Sequence, residues 1–285
     1  MARRKKIRAK KRFFVFCLIL FIVVILCVAG IAKLLSGGES ENTGNQEHNS
    51  AIDQQTQENA PPEIPVVTSE DGTPALSAAV IPGTEYLYES ARIIANPESY
   101  TCIVNRSYNL PSDYVPSDLV KVSVPFAPRM EEVKYMREDA SKALTQMFDA
   151  AMEEGGYALY GASGYRSFKL QQSLFNTNVG RKGSIEQANL VSALPGQSEH
   201  QLGLAMDITS ESMGYSLTED FYNTPEGKWV TDNCYRFGFI IRYPADKTDI
   251  TGYLYEPWHC RYVGTELAKQ LYESGQTLEE YYGLA

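Results

Sequence analysis

Ser198-Glu199-His200-Gln201-Leu202-Gly203-Leu204-Ala205-Met206-Asp207-Ile208 is the stretch on which the reading of this chain turns. The chain has three histidines, His48, His200 and His259. His200 and Asp207 lie in this stretch, and His259 closes Glu256-Pro257-Trp258-His259. Two imidazoles and a carboxylate are ligands that zinc accepts, and three protein ligands leave a fourth position open for water. A carboxylate beside such a site can take that water's proton. The parts therefore suit a metallohydrolase. The competing reading is two structural histidines, which spacing alone leaves open.

Leu204 to Ile208 reads as a short buried strand, with His200 on the turn before it. An offset of seven does not put His200 and Asp207 on one strand face, so the loop must bend His200 back. His259 arrives from a distant strand, and Glu256 lies three residues away across a proline. H-E-x-x-H is absent. A serine nucleophile has little support: no serine has lysine three residues on, and Gly161-Ala162-Ser163-Gly164-Tyr165 fails G-x-S-x-G at its last position. Cys260 adjoins His259, and neighbours on a strand point to opposite faces.

Working outward, residues 130–154 carry Met136, Ala140, Ala143, Leu144, Met147, Phe148 and Ala151 at helical spacing, and Gly155-Gly156 stops the pattern. Tyr157 to Ala162 reads as a strand that ends at Ser163-Gly164-Tyr165-Arg166-Ser167. There Gly164 permits an unusual backbone turn. Arg166 offers a fixed fork for a carboxylate or a developing oxyanion; an arginine after a strand is otherwise an ordinary surface ion pair. Helices are predicted over 168–178, from Ser184, over 225–236 and over 265–273. Phe239 to Arg242 reads as a strand, and Tyr253–Tyr255 and Trp258–Val263 as two arms bent at Pro257. Mixed order with short connections predicts an α+β fold, a small antiparallel sheet flanked by helices.

The first 12 residues carry eight Lys and Arg, and Phe13 to Ala32 then run for 20 residues without a charge. That length spans a bilayer as a helix, and the positive flank stays cytoplasmic. A cleaved signal has a shorter apolar core and a small-residue site. Val24-Ile25-Leu26-Cys27 also lacks the small residues of a lipoprotein signal. The expected organisation is a basic tail over 1–12, a transmembrane anchor over 13–35, a largely disordered stalk over 36–98 and a catalytic domain over 99–285. Residues 76–98 are ambiguous and compatible with a short helix packed on that domain.

Setting aside the eight basic residues and Lys33 leaves 17 of the 26 Lys and Arg against all 35 Asp and Glu, a formal balance of about −18. Such a surface repels nucleic acid, so no nucleic-acid partner is expected. Beyond the apolar run there are three cysteines, Cys102, Cys234 and Cys260, too few for a disulfide-built domain. One bridge among them stays open.

Several ordered motifs carry a resemblance. They are Ser163-Gly164-Tyr165-Arg166-Ser167 with Gln171, Pro195 to Asp207, Phe237-Gly238-Phe239-Ile240-Ile241-Arg242-Tyr243-Pro244, and Ile250 to Gly264. Upstream are Val104-Asn105-Arg106 and Leu110 to Pro116, and downstream Gly275 to Tyr281. In this order they resemble the VanY-type D-alanyl-D-alanine carboxypeptidases over about 102–282. The resemblance implies the fold shared with the Hedgehog amino-terminal domain and one Zn²⁺ per chain on His200, Asp207 and His259. It also implies Glu256 as general base and Arg166 as oxyanion or substrate partner, with Ser198 and Gln171 lining the pocket. Cys260 departs from the aromatic or other bulky residue expected there.

The implied reaction removes the C-terminal D-alanine from peptidoglycan stem peptides, with the D,D-carboxypeptidase favoured and the L,D-carboxypeptidase as the variant. Metal-bound water attacks the terminal peptide carbonyl. The implied protein is a monomeric catalytic domain facing outward on a single-pass anchor in the cell membrane. A non-catalytic wall-binding module of the same fold is the alternative.

Overall fold

The computed structural model describes residues 61–73, 75, 83–129 and 131–285. The expected basic tail and membrane anchor, and the stalk as far as residue 60, lie outside the described residues. Among the described residues, no helix is long and apolar enough to cross a membrane.

Strands β1 (Arg92–Ile93) and β2 (Tyr108–Asn109) form a short parallel pair. β3 (Leu119–Lys121) and β4 (Tyr135–Arg137) form an antiparallel pair. The central sheet has four antiparallel strands: β5 (Leu159–Ser163), β6 (Ala205–Ser210), β7 (Phe239–Ile241) and β8 (His259–Tyr262), in the order β5-β6-β8-β7. The α-helices around it are α1 (Glu138–Gly155), α2 (Phe168–Lys182), α3 (Ile185–Asn189), α4 (Pro225–Asn233), α5 (Thr248–Thr251), α6 (Thr265–Ser274) and α7 (Leu278–Tyr281). The α+β expectation and its small antiparallel sheet agree with this architecture.

Helix α1 presents Ala140, Ala143, Leu144, Met147, Phe148 and Ala151 as one buried stripe. Glu138 and Asp139 favour its first turn, and Gly156 at φ 68 closes it by donating to Ala151 and Met152 carbonyls. It starts later than the periodicity predicts because Tyr135–Arg137 pair with Leu119–Lys121 instead. Met136 stays buried, but from a strand.

The stripe shares one apolar core with Leu159, Leu204, Met206, Ile208, Phe239 and Cys260. β6, one of the two inner strands of the sheet, is buried along its whole length. Successive side chains alternate faces, so Met206 and Ile208 enter the core while Asp207 points to the opposite face. Cys260 follows the same rule: it lies in the core cluster, paired with Met206 across the strands. Cys102, Cys234 and Cys260 are free thiols and buried.

Two expectations are corrected. Tyr253–Tyr255 form no strand arm: the Glu256 amide donates to the Tyr243 carbonyl and the His259 amide to the Glu256 carbonyl, which makes a turn into β8. The folded body also begins before residue 99. Tyr88, Ala91 and Ile94 are buried, and Val66 bridges Ile94. Short polar-flanked segments of this kind carry too little periodicity to be told from a linker.

Candidate active site

The turn Glu199–Leu202 ends at Gly203, whose φ of 66 reverses the chain into β6. That positive φ favours glycine, and a Cβ there would also press on the Leu119 side chain at 2.8 Å. The reversal folds His200 back over Asp207, as the odd offset demanded. Asp207 and His259 are direct partners across β6 and β8, and their side chains share a face. His200 Nε2 lies 3.4 Å from Asp207 Oδ1, and His259 Nδ1 lies 3.2 Å from the same oxygen. The two imidazoles meet edge to face with centroids 4.8 Å apart.

These three residues form a closed set of ligand atoms, all within 4.8 Å of one another and all on buried side chains. His200 Nε2 and Asp207 Oδ1 are buried and have no hydrogen-bond partner. Zinc bonds of about 2.0–2.1 Å in tetrahedral geometry separate ligand atoms by about 3.4 Å. The two spacings to Asp207 Oδ1 match that value, so the residues fit the metal. The outer partners fit as well. His200 Nδ1 lies 2.7 Å from the Gly164 carbonyl, an arrangement that leaves Nε2 as the ligand nitrogen. His259 Nε2 lies 3.4 Å from the Glu199 carboxylate, which directs Nδ1 to the metal set.

Burial, reinforced by Arg166, lowers His200 to about 4 and keeps Nε2 a free lone pair at neutral pH. Burial also acts to lower His259, but Asp207 and Glu199 outweigh it and raise it to about 9. A metal taking Nδ1 must displace that proton. Asp207 is held well below the carboxylate range: the two histidines outweigh the opposing effect of burial. Burial pushes Glu256 up to about 7, although His259 pulls it down. Its Oε2 is 3.7 Å from His259 Nδ1, beside the ligand set without joining it.

Arg166 follows β5 on a loop where Gly164 is needed for close approach, not for a positive φ. A Cβ on Gly164 would lie 2.5 Å from the Tyr135 carbonyl oxygen. Arg166 Nη2 lies 3.5 Å from Asp207 Oδ2. Its Nη1 donates to Gln171 Oε1 at 3.0 Å, and Gln171 Nε2 donates to the Ala193 carbonyl at 2.7 Å. Gln171 therefore holds Arg166 as well as lining the cleft. Ser198 is buried at the cleft wall. All seven predicted site residues border one cleft of about 870 Å³. It extends past the metal set between Leu174 and Asn178 of α2 and the segment Leu217–Asp220.

Sequence reasoning quoted Glu199 and assigned it no role. It is 1% exposed, and Oε1 accepts from Arg242 Nε and Arg261 Nη1, both at 2.7 Å. A glutamate adjoining a ligand histidine in an apolar stretch was the available signal.

The fold and the site define a peptidase domain built round a candidate three-ligand metal centre. The chain belongs to the VanY family, the D-alanyl-D-alanine carboxypeptidases, whose family model matches residues 133–265. It is 51% identical over 190 residues to the putative carboxypeptidase YodJ of Bacillus subtilis, covering 66% of this chain and 69% of that protein. The structure of the LdcB LD-carboxypeptidase superposes with a TM-score of 0.66 at 46% identity, covering 74% of this chain and 94% of that one. A Zn(II) complex of the vancomycin-resistance D,D-pentapeptidase VanY superposes with a TM-score of 0.54 at 38% identity, covering 64% and 98%.

Proposed function

We propose that this protein is a zinc-dependent carboxypeptidase that removes the C-terminal D-alanine from peptidoglycan stem peptides. The observation that carries the reading is the convergence of His200 Nε2, Asp207 Oδ1 and His259 Nδ1, with Glu256 and Arg166 beside them, at the wall of one cleft. The Zn(II) complex of the related VanY supports the choice of metal. A cleft of about 870 Å³ takes more than a terminal dipeptide, which suits a stem peptide.

His200, Asp207 and His259 would hold the zinc ion, which would supply Lewis acidity and a lowered pKa for water. Glu256 accepts the proton of the attacking water and then passes it to the leaving amine of D-alanine. The water oxygen bonds to the carbonyl carbon and the C=O electrons move onto oxygen; the C–N bond breaks as they return and the amine takes its proton. The Arg166 guanidinium, held by Gln171, faces the charge that develops on the carbonyl oxygen. Ser198 lines the same wall.

The D,D reaction on pentapeptides is the preferred reading, supported by the family description. Similarity to the LdcB LD-carboxypeptidase favours, as the second reading, the L,D reaction on tetrapeptides. Mass spectrometry of both muropeptides after incubation with the protein decides between them. Loss of one alanine from the pentapeptide alone is the expected outcome; loss from the tetrapeptide alone overturns it in favour of the L,D reaction. Release abolished by a zinc chelator is expected, and binding without release would instead make the protein a wall-binding module.

The same proposal places residues 13–35 in the cell membrane as a single uncleaved anchor, with a monomeric catalytic domain outside. The apolar run of 20 residues behind a basic flank supports this. Membrane fractionation and protease shaving of intact cells test it: a soluble chain, or a body protected from protease, overturns it.

A further inference from the structure

Four ionised groups sit together beneath the metal set: Glu199, Arg242, Arg261 and Glu279, each 0–3% exposed. Two carboxylates balance two guanidiniums. Burying four ions costs more than packing apolar side chains of the same size, so the cluster calls for a role beyond stability. Glu199 carries it to the site. Arg242 and Arg261 both donate to Glu199 Oε1, which leaves Oε2 to face His259 Nε2 at 3.4 Å.

The His259 ring thus lies between two carboxylates, Asp207 on Nδ1 and Glu199 on Nε2. A neutral imidazole carries one proton, and the nitrogen that holds it cannot bind a metal. With Asp207 alone, that proton would settle on Nδ1, the nitrogen turned to the metal set. Glu199 offers an acceptor to the opposite nitrogen, Nε2.

The anchorage of Glu199 comes from residues far from it in sequence. Arg242 Nη1 and Nη2 donate to the Glu279 carboxylate at 2.8 and 2.6 Å, and Asn105 Nδ2 donates to the same carboxylate at 3.0 Å. Asn105 and Glu279 lie outside residues 133–265, the span that the family model matches.

We propose that Glu199 is a positioning residue that assigns the two nitrogens of His259, and that Asn105 and Glu279 hold it in place through Arg242. The inference rests on the reading of His259 as a metal ligand. Its test is zinc-loaded full chain labelled with ¹⁵N-histidine, together with zinc affinity measured by competition with a chromophoric chelator. In the unaltered protein, His259 should bind zinc through Nδ1 and show a slowly exchanging Nε2–H. Zinc bound through Nε2 overturns the proposal, and this readout needs no variant to fold. Glu199→Gln turns an amide N–H₂ toward the ring. It should weaken zinc binding by about 10- to 100-fold and remove the protection of Nε2–H. Glu279→Gln should produce a smaller loss in the same direction. Unchanged affinity with an intact Nε2–H in Glu199→Gln overturns the assignment. Neither readout uses a substrate. A chain that binds zinc in this way and releases no D-alanine keeps the inference and loses the proposed reaction. Release by a chain whose zinc affinity ignores Glu199 does the reverse.

Discussion

Asp207 and His259 face each other across two adjacent antiparallel strands, with Asp207 Oδ1 3.2 Å from His259 Nδ1. Strand pairing, not loop conformation, sets that distance. Ligands carried on a sheet whose other face is packed core are held to tighter tolerance than ligands on loops.

Asp207→Ala and His259→Ala should each remove the metal while the core stays folded, because both side chains point away from the apolar face. Loss of a ligand should weaken zinc by more than the roughly 10- to 100-fold that loss of an outer partner costs. Elemental analysis after dialysis checks this; full zinc content in either variant would contradict ligation.

Glu256→Ala should keep zinc and lose turnover by about 10²–10⁴-fold, the usual worth of a positioned proton carrier. Its Oε2 stands 3.7 Å from the nearest ligand nitrogen, so metal content should not change. Normal D-alanine release by this variant would sink the role.

Arg166→Lys keeps the charge and loses the fork. Turnover should fall by about 10²–10³-fold, with a smaller change in KM, as for removal of an oxyanion donor. Gln171→Ala should give a weaker effect of the same kind, since Gln171 acts on Arg166 through its Oε1. Steady-state kinetics separate the two constants.

Acid should destabilise the metal-free fold through the buried cluster. Burial works to raise Glu199 and Glu279, but Arg261 and Arg242 on Glu199, and Arg242 on Glu279, outweigh it and hold both below the ordinary 4.5. Groups depressed on folding contribute stability that is fully present above their unfolded value and lost as pH falls through the folded one. Thermal melts in chelator should therefore decline progressively as pH falls below about 4.5. A Tm that stays flat to strong acid would show that these carboxylates are not ion-paired.

Leu144→Ala removes a fully buried side chain from the α1 stripe. It should cost about 2–5 kcal/mol of stability. Chemical denaturation measures this, and zinc content at low temperature should be unchanged.

Much of this molecule was legible in residue order. The α1 stripe, the β6 run and the ordered motifs around His200, Arg166 and His259 identify the architecture and the site residues together. What escaped depended on partners far away in sequence. Tyr135–Arg137 reads as helix because Met136 fits the helical stripe, yet β3 claims it as a strand. Tyr88, Ala91 and Ile94 look like linker residues until the body they pack on is present. Glu279 is an ordinary acidic residue until Arg242 meets it from 37 positions away.

The sequence by itself determined which chemical groups this protein owns and which segments carry them. Side-chain type and local periodicity act over a few residues and can be read locally. Only the tertiary structure decided which atom of each group is available. Gly164 turns one ring of the pair by taking His200 Nδ1, and Glu199 turns the other by facing His259 Nε2. An imidazole has two nitrogens and one mobile proton. Its ligand atom is set by whatever the fold brings against the opposite side of the ring.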